Sequence, residues 1–304
     1  MIIIFIMILV GVYLYKKNHL SNASSKQLSW IIVNITNPIT LLCAALSEEQ
    51  KVGATEIGIA FLSFIVMYAI LIPIAYLIPV ILNVDRSRRY AYRMLSIFGN
   101  VGFIGIPFSS AVLGPGSLIF VSICCIMFNL IIYTYGIASL KKTAAVQNPD
   151  DNRESSFSLK SIINSGTVIS VLTIIVYLMD IKLPDIATGT LTYIGNCTTF
   201  LSMLVLGVSV AQMVPKEVFS RWRLYVFVVL RQILVPVMIV FVLRPFISNE
   251  LILKTVAVMA SMPAANLPLM MAKQFGVKED MISAGIILTT VASIITIPAV
   301  MYFL

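Results

Sequence analysis

Charge is scarce in this sequence. Asp, Glu, Lys and Arg make up 11% of its 304 residues, under half of the roughly 25% usual in soluble domains. That is too little to cover the water-facing surface of a soluble fold, so a soluble enzyme is excluded. Histidine occurs once, as His19 beside the membrane-edge residues Lys16 and Lys17, where a solvated loop position explains it better than catalysis. No Ser or Cys has a plausible base beside it in the chain, which sets a membrane-embedded hydrolase aside. The four cysteines, Cys43, Cys124, Cys125 and Cys197, lie inside apolar runs without metal-ligand spacing. They read as small buried apolar residues, and no metal or cofactor is expected. A basic stripe interleaved with aromatics is also missing, so the net charge of +8 does not point to nucleic acid.

What is present is apolar length. Hydrophobic residues make up 59% of the chain, and a membrane-spanning helix needs about 20 of them in a run. Ten runs emerge, at about 1–15, 29–46, 54–82, 92–114, 117–138, 161–179, 187–213, 221–243, 251–275 and 279–303. The first ends in Lys16-Lys17 and lacks the basic start and small-residue cleavage site of a signal peptide, so it reads as a retained short helix. With both termini outside, 16 of the 21 Lys and Arg fall in inside loops and four outside, with Arg231 inside a span. That asymmetry obeys the positive-inside rule, and a miscounted helix would erase it. The expectation is an all-α polytopic membrane protein of the bacterial inner (plasma) membrane. The polar segment 141–160 divides it into 1–140 and 161–304. Five spans per half give the halves opposite orientation.

The halves also match. At an offset of about 162 residues, Asn34-Ile35-Thr36-Asn37-Pro38 meets Asn196-Cys197-Thr198-Thr199-Phe200; at nearly the same offset Pro73 meets Pro236 and Pro107 meets Pro268. Interrupted helices in matching positions of inverted repeats point to the binding site of many secondary transporters. Proline removes a backbone donor and clashes with the preceding turn, and the freed backbone groups cannot face lipid. Span four carries Gly99, Asn100, Gly102, Gly105 and Pro107, and span nine brackets Asn266 between Pro263 and Pro268. Both are expected to be broken at a common crossing point.

These residues resemble those of a known family. Gly99-Asn100-Val101-Gly102-Phe103-Ile104-Gly105-Ile106-Pro107 looks like the fourth-helix signature of the auxin efflux carriers. Met262-Pro263-Ala264-Ala265-Asn266-Leu267-Pro268, followed by Ala272-Lys273-Gln274-Phe275-Gly276, is similar to the ninth-helix signature. Leu183-Pro184-Asp185, Gly195-Asn196, Leu201-Ser202-Met203 and Gly207 resemble the sixth-to-seventh helix region. The resemblance implies ten helices in two inverted five-helix repeats. It implies a scaffold domain of helices 1, 2, 6 and 7, a transport domain of helices 3–5 and 8–10, and broken helices 4 and 9 crossing beside the substrate. Plant members of that family export the auxin indole-3-acetate, and bacterial members are linked to malate, malonate and similar carboxylates; the short 141–160 loop resembles the bacterial form. Homodimers occur in the family. Phe200 departs from it, since bacterial relatives often have proline there.

Arg231 is the one ionisable residue deep in a span, about 15 Å from its start at 1.5 Å per residue. Such residues are rare in membranes and usually functional. Two roles suit it, pairing with loosened carbonyls of a broken neighbour or clamping a carboxylate with forked donors. All 13 Asp and Glu lie in loops or near helix ends, Glu56 at the start of span three, so no buried carboxylate is available as a coupling site. The expected substrate site gathers Asn100, Gly105, Pro107, Pro263, Asn266, Pro268 and Arg231, with Asn34, Asn37, Asn196 and Ser202 from helices two and seven. The expected function is carriage of a small organic anion by alternating access, with lipid and a second copy as partners. A sodium-coupled symporter of the bile-acid type and a ligand-binding sensor that carries nothing stand as alternatives.

Overall fold

The computed structural model describes residues 2–46, 53–147, 165–179, 181–211, 222–278 and 280–303. Among them every regular element is helical, and the one extended pairing is an isolated antiparallel bridge between Gly99 and Ala264. Six helices are long and apolar enough to cross a membrane: Ala23–Leu46, Ala54–Ile81, Pro115–Gln147, Asp185–Val208, Trp222–Phe246 and Asp280–Tyr302. Ile6–Lys16, Val101–Leu113 and Thr167–Leu178 are shorter apolar helices. The difference from ten full spans has local causes. The runs at 92–114 and 251–275 are each split, into Arg89–Ile97 and Ile106–Leu113, and into Glu250–Ser261 and Leu267–Gln274.

Prolines shape the helices in two ways. Wide π-helical turns at Ile32–Thr36, Val101–Gly105 and Leu230–Leu234 lie just ahead of Pro38, Pro107 and Pro236. A π-turn adds a residue to the turn and so makes room for a ring that has no N–H to donate. Pro73 behaves differently: its helix, Ala54–Ile81, is α throughout. The Pro73–Pro236 match in the sequence is therefore not a match in helix geometry. Asp185–Ala211 also runs unbroken through Phe200, so the helix with Pro38 carries a π-turn and the helix with Phe200 carries none. The polar segment expected at 141–160 starts late, because the preceding helix continues to Gln147 through residues such as Lys141, Lys142, Ala144 and Ala145, most of them good helix formers. Residues 148–160 lie outside the described residues.

Small residues let the helices approach closely, as in membrane interfaces generally. Ile2–Lys16 packs on Asp185–Ala211. A Cβ on Gly207 would lie 2.7 Å from the Gly11 Cα and 2.8 Å from the Val12 nitrogen, so the two backbones touch. Thr40 ties Asn37–Leu46 to the same helix: its hydroxyl lies 2.7 Å from the Thr198 hydroxyl and donates toward the Gly195 carbonyl at 3.0 Å. Elsewhere the Tyr92 and Phe227 rings meet edge to face at 5.3 Å, joining Arg89–Ile97 to Trp222–Val229. At one end Asn249 caps Glu250–Ser261 by accepting from Leu251 N and donates to Glu56, at the start of Ala54–Ile81. The outer surface carries large apolar side chains such as Leu77, Ile81, Phe241 and Ile295. In water this would be an aggregation surface; against acyl chains it is the expected one.

Candidate functional site

The two interruptions meet. Arg89–Ile97 ends at Phe98, which is extended, and Glu250–Ser261 ends at Met262, also non-helical. The two interrupted backbone segments, buried in the structure, run antiparallel: Asn100 N–H donates to the Pro263 carbonyl at 2.7 Å, and Ala265 N–H to the Phe98 carbonyl at 2.8 Å. Gly99 permits this approach, since a Cβ there would lie 3.3 Å from the Met262 Cβ. A broken helix leaves several backbone groups without their intrahelical partners, and inside a membrane protein each must find another. Here the crossing satisfies four through its two bonds, and side chains from other helices satisfy more.

Arg231 is the principal supplier. It is 2% exposed and donates from Nε to the Ser96 carbonyl and from a terminal nitrogen to the Ala260 carbonyl. Each carbonyl closes a helix just before a break, so each lies at the negative end of a helix dipole. One guanidinium thus clamps both broken ends, which its fixed fork of donors suits. The Thr289 hydroxyl accepts from Ala264 N–H at 3.1 Å, and the Gln232 amide donates to the Thr289 carbonyl at 3.0 Å. Gln232 and Thr289 take part in the crossing although sequence reasoning passed over them. The signal was present: each is a polar residue deep in an apolar run, and Gln232 adjoins Arg231.

Beyond the crossing, helix resumes in both segments. Asn100 caps the first resumption, its side chain accepting from Phe103 N at 3.2 Å. Asn266 directly precedes the second, and its backbone carbonyl accepts from Met270 N at 3.1 Å. Pro107 and Pro268 are each the second residue of an eight-residue helix, Ile106–Leu113 and Leu267–Gln274. At Pro268 the N–H it lacks would have no partner, because Leu267 opens its helix; Pro107 instead comes just after the π-turn Val101–Gly105, whose wider turn makes room for its ring. Both Asn residues thus stand ahead of a resumed helix, with the five-residue π-turn Val101–Gly105 lying between Asn100 and Ile106.

The expected site residues divide. Asn100, Gly105, Pro263 and Arg231 lie at or against the crossing, and Asn37 joins them by donating to the Gly102 carbonyl at 3.0 Å. Asn37 is buried, and its Oδ1 has no hydrogen-bond partner among the described residues. Beside Gly102 the space is open, since a Cβ there would meet nothing within 4 Å. Asn34 points away: it is exposed and bonds within its own helix, to the Trp30 carbonyl at 2.9 Å. Asn196 and Asn266 are exposed, and Ser202 is fully buried, its hydroxyl without a partner among the described residues. The site therefore has a tight centre of backbone pairing and a looser, polar flank at Asn37 and Gly102.

The membrane transport protein family, that of the auxin efflux carriers, matches the chain over residues 1–301. The chain belongs to this family. It is a multi-pass membrane transporter of the auxin efflux carrier type. A comparison with curated proteins finds no match.

Proposed function

We propose that this auxin efflux carrier family member moves a small organic anion across the bacterial inner membrane by alternating access. The substrate is a carboxylate such as malate or malonate, or an auxin-like acid. The observation that carries the reading is the crossing of two interrupted helices, Gly99 against Ala264, with resumed helices starting beside it. Helix starts carry partial positive charge and exposed N–H groups, which suit an anion. Arg231 adds a full charge behind them. The open space at Gly102 and the unpartnered Asn37 Oδ1 put polar contacts next to that charge.

In this reading ten spans form two inverted repeats, residues 1–140 and 161–304, with 141–160 on the cytoplasmic side and both termini outside. Helices 1, 2, 6 and 7 form the scaffold. The remaining six, including the crossing, form the moving part. The bond from Asn37 to Gly102 then spans the two and must break or shift as they slide. The protein acts without a cofactor and is expected to form a homodimer. No carboxylate sits mid-span, so movement need not follow a proton or sodium gradient.

Flux in proteoliposomes tests this directly. A panel of mono- and dicarboxylates and indole acids is offered with proton and sodium gradients varied. Saturable uptake of one class supports the proposal. Strict sodium stoichiometry would instead make it a symporter, and binding without flux would make it a sensor.

A further inference from the structure

A polar cavity lies away from the crossing. It has about 200 Å³ and is lined by Val84, Asp85, Arg88, Tyr92, Trp222, Arg223 and Met281. It sits where Arg86–Arg88, Trp222–Val229 and Asp280–Tyr302 begin, at the end of the molecule that the Lys and Arg distribution assigns to the cytoplasm. Arg89 steadies one wall by donating to the Val84 carbonyl at 3.0 Å.

The charges here are not spent on one another. Among the described residues neither Asp85 nor Arg88 has an ion-pair partner. Among the described residues the buried Arg223 Nε has no hydrogen-bond partner, while its guanidinium leans over the Trp222 ring at 5.8 Å. Two guanidinium groups and one carboxylate thus border one small cavity. Two arginines suit a phosphate, which accepts forked donors. The carboxylate beside them suits an ammonium on the same ligand and disfavours a second negative charge.

The cavity also adjoins the lipid-facing surface. Trp222 is 64% exposed, and Tyr225, Val226 and Val229 continue an exposed apolar stripe from it at the three- and four-residue spacing of one helix face. Trp at a helix end is typical of the headgroup layer. We infer that this cavity holds a zwitterionic phospholipid headgroup of the phosphoethanolamine class, phosphate on Arg88 and Arg223, ammonium toward Asp85, with an acyl chain along the Trp222–Val229 stripe. The site ties the loop after one long helix to the starts of two others, and it is independent of what the protein carries.

The shared chemistry, phosphate plus ammonium, could come from lipid or from a soluble phosphomonoester, and the test separates them. Full-length protein is purified, stripped of lipid and titrated with dioleoyl phosphatidylethanolamine, dioleoyl phosphatidylglycerol and free O-phosphoethanolamine, with binding counted by native mass spectrometry. The ethanolamine lipid should bind best. Arg223→Gln should weaken it by about tenfold, as expected for losing one charge-assisted contact, and Asp85→Asn should abolish its advantage over the glycerol lipid. Circular dichroism confirms that the variants fold. Unchanged lipid affinity in Arg88→Gln and Arg223→Gln would overturn the site. Displacement of the lipid by equimolar O-phosphoethanolamine would overturn the lipid assignment.

Discussion

Arg231→Ala separates two roles that one residue could hold. If Arg231 chiefly braces the crossing, its loss leaves the Ser96 and Ala260 carbonyls unpaired where no water reaches. Each such group costs about 1–3 kcal/mol, so about 2–6 kcal/mol together. Lost burial of two methylenes, Cγ and Cδ, adds about 1.6 kcal/mol at 0.8 each. Against this, the variant no longer holds a cation at bilayer depth, which offsets about 2.5–3.5 kcal/mol. The net destabilisation is up to about 5 kcal/mol, large against the stability of most folds. Purified wild-type, Arg231→Lys and Arg231→Ala proteins would be unfolded thermally at one scan rate, since membrane proteins rarely refold. The midpoint should fall in the order wild type, Lys, Ala, because lysine keeps a donor but not the fork. Substrate should raise the wild-type midpoint and leave the order unchanged. An Ala variant as stable as wild type but unable to bind substrate would refute the brace and make Arg231 a clamp for the anion alone.

Other perturbations test single contacts. Gly207→Ala places a methyl 2.7 Å from the Gly11 Cα and should cost about 1–3 kcal/mol as overpacking does, read as a lower unfolding midpoint; Ala tolerated without change would deny the close approach. Thr289→Val keeps the shape but leaves Ala264 N–H unpaired, for a loss of about 1–3 kcal/mol and slower flux. Asn37→Ala removes the bond to the Gly102 carbonyl; flux should change by several-fold while the midpoint shifts little, and an unaltered rate would remove Asn37 from the moving interface. Phe200→Pro puts a ring into the unbroken Asp185–Ala211 helix and should cost about 3 kcal/mol, unless the helix forms a π-turn like that before Pro38, which amide exchange would report.

The breaks were legible in the sequence because glycine and proline act through the local backbone. Pro107 and Pro268 announce a helix restart whatever packs around them, and Gly99 announces a close approach. The offset also paired Pro73 with Pro236. It could not say that Pro73 would sit in plain α-helix while Pro236 follows a π-turn, since that choice depends on neighbouring helices. Asn34 and Asn196 carry the same side chain as Asn37 and Asn100, yet they face away from the crossing. Asn34 and Asn37 stand three residues apart on one helix, one exposed and one buried, and polarity alone does not reveal which way each faces.

Composition and periodicity by themselves settled that this chain lives in a membrane and is helical, because lipid offers no partner for an open backbone. They also located both interruptions and the lone deep cation. Tertiary structure decided who satisfies whom: Asn100 with Pro263, Ala265 with Phe98, and Arg231 with the carbonyls of Ser96 and Ala260. Those partners lie far apart in the chain, and hydrogen bonds reach only about 3 Å. No local pattern encodes which distant group will arrive within that distance; only the packing of the helices does.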